Sequence, residues 1–150
     1  MKRPPCLISA CLVGVGCRYD AAHRALPSGV LEGLKARYLL IPVCPEQLGG
    51  LPTPRDPVQF HGGDGEAFWK GKARLLTQGG RDFSPAFLKG AEEVLKLVDL
   101  LDIKVAILKE KSPSCGVSFV YREGKFVRGM GVVTAALVAK GVKVLSGDDL

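Results

Sequence analysis

Three short apolar runs, each followed by a cysteine, constrain the fold of this 150-residue chain more than any other feature. Cys11 closes a run that begins at Cys6, Cys44 closes the run 38–43, and Cys115 follows the run 104–109 by six residues. If these runs are neighbouring parallel strands, the three thiols meet at one edge of a sheet, where open α/β folds place their chemistry. Three converging thiolates predict a metal or iron–sulfur site that is one ligand short of four.

The remaining pattern alternates strands and helices. We predict strands over Cys6–Leu12, Tyr38–Val43, Ala73–Thr77, Lys104–Leu108 and Val142–Leu145, with a hairpin of Val117–Tyr121 and Lys125–Val127. We predict helices over Val30–Arg37, from Asp82 or Ser84 to Leu101, and over Thr134–Lys140. This order indicates an α/β fold, a three-layer sandwich whose mainly parallel, Rossmann-like sheet has helices on both faces. The length suits one domain over residues 1–150.

Two segments of this pattern carry further expectations. The run 38–43 is nearly all apolar, which predicts a strand buried on both faces, whereas Pro42 favours an edge position or the strand's last turn. Residues 45–65 are rich in glycine and proline. So long a loop is uncommon in a compact domain unless it forms a lid or a binding loop, so we expect it to cover the site.

Composition narrows the class of protein. Apolar residues make up 47% of the chain and charged residues 24%, as in soluble globular proteins. The net charge of +6 is spread without a basic run, so we expect no nucleic-acid partner. No stretch reaches the roughly 20 apolar residues that span a bilayer, and prolines at 4 and 5 interrupt any signal-like start. We therefore expect a cytoplasmic protein with reduced thiols and no membrane partner.

The cysteines leave alternatives open. Cys6 has no polar neighbours and suits a buried core position. Cys17 lies six residues after Cys11 and could be a fourth ligand or a resolving thiol in redox chemistry. Local C-x-x-C pairs are absent, which argues against ordinary structural zinc. His23 and His61 could complete a zinc set, although both suit surface positions better.

Polar residues in the same turns add chemistry. Glu46 follows Cys44 by two positions, and a carboxylate held near a cluster can act as an acid or a base. Ser112 and Ser114 can donate hydrogen bonds to sulfur, cap a turn or bind substrate. Three charged residues could orient an anionic or heteroaromatic ligand, or simply form surface salt bridges: Arg18, Asp20 and Arg55.

Five blocks of sequence together resemble one known family. They are Ser9–Gly14, Arg18–Asp20, Val43–Arg55, Leu108–Lys109 with Ser112–Gly116, and Gly129 with Gly131–Leu137. The family is a compact domain family that includes the bacterial thiouracil desulfidases, and the resemblance extends over nearly the whole chain. The Cys-Pro-Glu block and the Ser-Pro-Ser-Cys-Gly block are specific in combination. One departure is Ala21, where the family usually has glycine.

The resemblance implies a cofactor and a set of catalytic residues. Members hold a 4Fe-4S cluster through three cysteines only, which correspond here to Cys11, Cys44 and Cys115. The family's catalytic carboxylate and serine correspond to Glu46 and Ser112. By the same resemblance Cys17 is not a ligand. We expect the cluster to be lost readily on aerobic purification.

The resemblance also implies a reaction. It is an iron–sulfur-dependent, non-redox removal of sulfur from a thiouracil-like thiocarbonyl compound, whose sulfur binds the iron that has no protein ligand. The expected partner is this small-molecule thio-substrate, and the sequence leaves the oligomeric state open. The alternative is a thiol or iron–sulfur redox or sensor protein without desulfidase activity.

Overall fold

Strands and helices alternate along most of the chain. A computed structural model describes residues 2–150. The strands are β1 (Pro5–Ser9), β2 (Leu39–Val43), β3 (Val58–His61), β4 (Arg74–Thr77), β5 (Val105–Leu108), β6 (Phe119–Arg122), β7 (Lys125–Arg128) and β8 (Lys143–Ser146). The helices are α1 (Ser28–Arg37), α2 (Pro45–Leu48), α3 (Gly65–Trp69), α4 (Ser84–Leu101) and α5 (Val132–Ala139). A 3-10 turn, Ala10–Val13, follows β1 directly.

The main sheet is parallel, and its strand order reverses next to β1. The order is β2-β1-β5-β8, so the chain first moves outward from β1 to β2 and later returns to the other side of β1. The carboxyl ends of β1, β2 and β5 therefore flank a reversal of strand order. Open α/β sheets bind their ligands in the crevice outside such a point.

Helices cover both faces of the main sheet. Cys6 and Ile8 of β1 belong to a buried apolar cluster with Leu34 of α1. Leu7 belongs to a second cluster on the opposite face, with Val94 of α4 and residues of α5. Successive strand residues alternate between faces, which produces the two cores. The predicted α/β class, with helices on both faces of a parallel sheet, is confirmed. No helix within residues 2–150 is long and apolar enough to cross a membrane.

A second, mixed sheet was not predicted as a unit. Its order is β4-β3-β6-β7, with β3 antiparallel to β4, β3 parallel to β6, and β6 antiparallel to β7. The hairpin β6–β7 and the strand near 73–77 are confirmed. The prediction of an unstructured loop over 45–65 is wrong, since this segment contains α2 and β3. Pro45 suits the first turn of a helix, and β3 gains its partners only from distant parts of the chain.

Burial and element ends correct other expectations. β2 lies at the edge of the main sheet, as Pro42 indicated, but it is not buried on both faces, because 51% of Leu39 is exposed. The first strand ends at Ser9 and not at Leu12, because the chain turns through the 3-10 segment that Gly14 ends with a φ of 99°. The last helix begins at Val132, before the predicted Thr134.

Two glycines allow the short helix α2 to pack closely against α4. A Cβ atom added to Gly49 would overlap the carbonyl oxygen of Ala86, and one added to Gly90 would overlap the carbonyl oxygen of Pro45. Neither position therefore accepts a side chain unless the helices separate. Because Glu46 belongs to α2, this close packing also fixes the depth of that carboxylate in the fold.

Gly90→Ala is predicted to lower the free energy of unfolding by about 1–3 kcal/mol, because the added methyl group forces α2 away from α4. The matched control is Gly33→Ala in the middle of α1, where an added Cβ meets open space. This control should gain roughly 0.5–1 kcal/mol through helix propensity. Urea unfolding of both variants measures the difference, and equal effects of the two substitutions would contradict the packing argument.

Candidate active site

Four free thiols line one cavity at the carboxyl ends of β1, β2 and β5. The cavity has a volume of about 390 Å³. Its wall includes Cys11, Cys17, Cys44 and Cys115, none of which forms a disulfide. The fifth cysteine, Cys6, is fully buried in the core beneath α1 and does not line the cavity.

The three cysteines predicted as ligands lie in three different turns. Cys11 lies in the 3-10 turn that follows β1. Cys44 is the residue between the end of β2 and the start of α2. Cys115 lies in the turn after β5, in which the N–H of Gly116 donates to the carbonyl of Ser112 at 2.8 Å. The parallel pairing of the three strands brings these distant turns together. The role of the three cysteines as ligands stays a prediction at this point.

Cys11 and Cys115 are buried, and neighbouring groups oppose the effect of burial on the pKa of each thiol. Burial raises the pKa of Cys11, while Arg18 and Lys109 act to lower it. Burial raises the pKa of Cys115 to about 12, against hydrogen bonds from Ser9 and Ser114. As long as nothing else binds them, Cys11 and Cys115 are protonated at neutral pH. A metal centre that binds them must therefore displace protons.

Cys17 is a fourth thiol beside Cys44. Burial and the neighbouring Cys44 raise the pKa of Cys17 to about 12. The Cys44 Sγ contacts the carbonyl oxygen of Cys17 at 3.6 Å. The same carbonyl accepts a hydrogen bond from Nη2 of Arg55 at 2.9 Å. The backbone of Cys17 is thus tied to the cavity wall by two other residues of the site.

Glu46 is held in the cavity wall by a buried ion pair. Its Oε1 accepts a hydrogen bond from Nε of Arg55 at 2.9 Å. Only 3% of the Arg55 side chain and 13% of the Glu46 side chain are exposed. Arg55 also donates to the carbonyl of Pro52 and to the hydroxyl of Thr53. With its donors engaged in this way, Arg55 fixes the direction of the carboxylate.

Two serine hydroxyls link this carboxylate to residues 112–116, the turn that contains Cys115 and is called the cysteine turn below. Ser114 Oγ donates to Oε2 of Glu46 at 3.1 Å, across 68 positions of sequence. Ser112 Oγ lies 3.1 Å from Ser114 Oγ and accepts the N–H groups of Ser114 and Cys115. Ser114 Oγ has one proton and lies 3.1 Å from Glu46 Oε2 and 3.6 Å from Cys115 Sγ. With that proton on the shorter contact, to Glu46, Ser112 is the donor in the contact between the two hydroxyls. The result is a directional chain from Ser112 through Ser114 to Glu46.

The Arg-Tyr-Asp block places one of its charged residues in the cavity. Arg18 lines the cavity wall, and its buried Nε has no hydrogen-bond partner within residues 2–150. Asp20 is exposed and outside the lining, where its carboxylate accepts the N–H of Ala22. Ala21 adopts a φ of 63°, a left-handed conformation that explains why glycine suits this turn. Substrate contacts by Arg18, Asp20, Arg55 and Ser114 stay predictions.

The zinc alternative finds no support in the geometry. His23 is exposed, and its Nδ1 accepts the N–H of Ala25. His61 lies in β3, and neither histidine lines the cavity. Over the described residues, no three His, Cys, Asp or Glu side chains surround the position of a single metal ion.

The cavity wall also contains residues that the sequence did not indicate. Lys109 and Lys111 come from the end of β5, and Tyr121 and Phe126 come from the hairpin of the second sheet. Lys111 lies over the ring of Phe126 at 4.9 Å. Lys109 belongs to one of the recognised sequence blocks and Lys111 directly precedes Ser112, so the sequence did contain a signal for both lysines. The aromatic residues belong to the hairpin that follows the turn of Cys115, and the sequence predicted this hairpin but not that its side chains face the cavity.

Comparison with known proteins agrees with this architecture. The family model described as 2-thiouracil desulfurase matches residues 6–149. The protein YbbK of Bacillus subtilis (strain 168), described as uncharacterized, is 38% identical over 147 residues, which cover 96% of each protein. The solved structure of TudS, described as a [4Fe-4S]-dependent thiouracil desulfidase, superposes with a TM-score of 0.85 at 38% identity. That match covers 99% of this chain and 93% of TudS.

These matches confirm the resemblance drawn from the sequence blocks. The family match extends over nearly the whole chain, and the structural match reproduces both the fold and its size. The chain belongs to the 2-thiouracil desulfurase family.

Proposed function

We propose that this protein is an enzyme that removes sulfur from a thiouracil-like thiocarbonyl compound, with a 4Fe-4S cluster and without net electron transfer. The observation that carries the proposal is the meeting of Cys11, Cys44 and Cys115 with Glu46 in one cavity. Family membership supports the reaction, and the description of TudS as [4Fe-4S]-dependent supports the cofactor. The five free cysteines favour a reducing compartment, so we place the enzyme in the cytoplasm.

The residues of the cavity fit an iron–sulfur cluster. Cysteine thiolates are the ligands that such clusters prefer, and the three proposed ligands are free and come from three separate turns. Arg18 and Lys109 add positive charge beside Cys11, which favours its thiolate form. We assign Cys11, Cys44 and Cys115 as ligands and leave Cys17 as a neighbouring thiol, as the family's motif implies.

In the proposed reaction the bound cluster supplies the Lewis acid and the protein supplies the base. When bound through three cysteines, a cluster supplies one iron free of protein ligands, which can act as a Lewis acid toward a thiocarbonyl sulfur. The protein supplies the base. In our proposal Glu46 Oε2 takes up a proton from the attacking water, and the water oxygen bonds to the ring carbon. Glu46 then returns this proton to the departing sulfur, the C–S bond breaks, and sulfur leaves as hydrosulfide. The hydroxyl left on the ring carbon loses its proton to solvent as the C=O bond forms.

The serine chain provides the route for this proton. Ser112 lines the cavity and donates toward Ser114, which in turn donates to Glu46. A water beside Ser112 can therefore pass its proton along two hydroxyls to the carboxylate. Arg55 keeps Glu46 at the end of this route and is itself held by the carbonyl of Cys17. Arg55 is thus a positioning residue in the proposed mechanism.

Apolar and aromatic residues limit the water in the cavity. The segment after Cys44 contributes Pro45, Pro57 and Val58 to the wall, and the second sheet contributes Tyr121 and Phe126. This agrees with the expectation that 45–65 covers the site, although the segment is folded. A water-poor wall strengthens the hydrogen bonds that act on the reacting atoms.

The alternative of thiol redox chemistry is weaker on physical grounds. A reactive thiol needs a lowered pKa, because the thiolate is the nucleophile. Burial instead raises the pKa of both Cys11 and Cys17, which would be the attacking and resolving thiols. An iron–sulfur sensor remains the alternative without catalysis, and it predicts a cluster but no turnover.

The ligand assignment is tested by iron and sulfide counts after anaerobic reconstitution. Cys11→Ala, Cys44→Ala and Cys115→Ala should each lose most of the iron and the brown absorbance, because a cluster held by two cysteines is not retained. Cys6→Ala and Cys17→Ala are the controls and should keep both. Full cluster content in any of the first three variants, or its loss in Cys17→Ala, would overturn the assignment.

The catalytic assignment is tested by Glu46→Gln, which keeps the shape of the side chain and removes the base. We expect unchanged iron content and a fall in the turnover of thiouracil by about 10²–10⁴-fold, the usual contribution of a general base. The control is Glu66→Gln in α3, whose side chain is 63% exposed and is not part of the cavity lining. The loss of thiouracil absorbance measures the rate, and an active Glu46→Gln would remove the proposed base.

A further inference from the structure

A buried carboxylate that does not line the cavity holds the cysteine turn from behind. Glu110 follows β5 and is only 5% exposed. Its Oε1 accepts four backbone N–H groups: Lys111 at 3.3 Å, Val117 at 2.8 Å, Ser118 at 2.8 Å and Phe119 at 3.0 Å. One oxygen therefore ties together two parts of the backbone that are separated by five residues.

The five residues between these parts form the turn that carries the site. Ser112, Ser114 and Cys115 all belong to it, and all three line the cavity. The bond to Lys111 lies before the turn, and the bonds to residues 117–119 lie after it. The carboxylate thus closes the turn into a ring, and the direction of its side chains depends on this closure.

Glu110 also reaches the rest of the site through its own backbone. Its carbonyl accepts a hydrogen bond at 3.0 Å from Nζ of Lys109, a residue of the cavity wall. The N–H of Lys109 in turn donates to the hydroxyl of Ser9 at the end of β1. The residue therefore lies where β1, β5 and the cysteine turn meet.

The charge on Glu110 persists despite its burial. Burial raises the pKa of Glu110, but the N–H groups of Phe119 and Ser118, the hydroxyl of Ser146 and the N–H of Val117 together hold it below the usual range. The carboxylate is therefore ionised at neutral pH. Hydrogen bonds to an ionised acceptor are roughly twice as strong as those between neutral groups.

We propose that Glu110 is a positioning residue of this site: its carboxylate holds Ser112, Ser114 and Cys115 in place against Glu46 without touching substrate or cluster. The inference rests on the proposed function, because positioning matters only if the turn takes part in catalysis. Displacement of a catalytic group by about 1 Å can cost a hundredfold in rate, so a loosened turn will be visible in turnover.

The test is Glu110→Gln, which keeps the shape of the side chain and removes its charge, with Glu110→Asp as a second variant should the first not fold. The control is Thr77→Val, which removes another buried side chain that accepts a backbone N–H, that of Arg81, away from the cavity. Two quantities are measured for each protein. The first is amide hydrogen exchange over 111–119, and the second is kcat per bound cluster after anaerobic reconstitution.

We expect Glu110→Gln to exchange the amides of 111–119 at least tenfold faster than the wild type, and to lower kcat per cluster by about 10- to 100-fold. Thr77→Val should change neither quantity, even if it lowers the melting temperature. Unchanged exchange, or faster exchange with unchanged kcat per cluster, would overturn the positioning role. A wild type that reconstitutes no cluster or shows no turnover would instead overturn the proposed function, and the exchange of 111–119 would then decide alone whether Glu110 fixes the turn.

Discussion

The parallel pairing of β1 with β2 on one side and β5 on the other is the constraint on which the site depends. Ser9 lies opposite Val43, and Ile8 lies opposite Ile107, so the three strands end at nearly the same level. The turns that follow must then share one space above the sheet. Because of this register, Cys11 and Cys115 line the same cavity although they are more than 100 positions apart in sequence.

Two carboxylates fix the geometry that the sheet only brings together. Glu46 faces the cavity and is held from one side by Arg55 and from the other by Ser114. Glu110 lies behind the cysteine turn and gathers its backbone N–H groups. Both carboxylates accept several hydrogen bonds, which is the condition under which burial of a charge is tolerated. These contacts connect the catalytic side chains to one another within the protein itself.

Much of this arrangement followed from the sequence, because its signals are local. The apolar runs and their cysteines predicted the parallel sheet and the edge at which the thiols lie. The Cys-Pro-Glu and Ser-Pro-Ser-Cys-Gly blocks indicated Glu46 and Ser112, and the structure places both in the cavity wall. Pro42 correctly indicated the edge strand, since a residue without an N–H suits a strand with one free side.

What the sequence did not indicate depends on contacts between distant residues. β3 is four residues long and is a strand because it pairs with β4 and β6. The sequence of 45–65 alone therefore predicted a loop. The sequence suggested that Arg55 contacts a ligand. Its hydrogen bond to Glu46 forms only because the segment between the two residues folds back, and the sequence did not indicate this. Glu110 lies between two lysines, a local sequence that is typical of the protein surface. The four backbone N–H groups that it accepts are brought together only by the fold.

The central proposal is that Cys11, Cys44 and Cys115 would together hold one iron–sulfur cluster in the cavity whose wall includes Glu46. Anomalous diffraction at the iron edge, from crystals of the anaerobically reconstituted protein, tests it most directly. We predict a single compact group of iron peaks inside the cavity, bonded to these three sulfur atoms and to no other cysteine. Iron located elsewhere, or bonded through Cys17 as a fourth ligand, would contradict it.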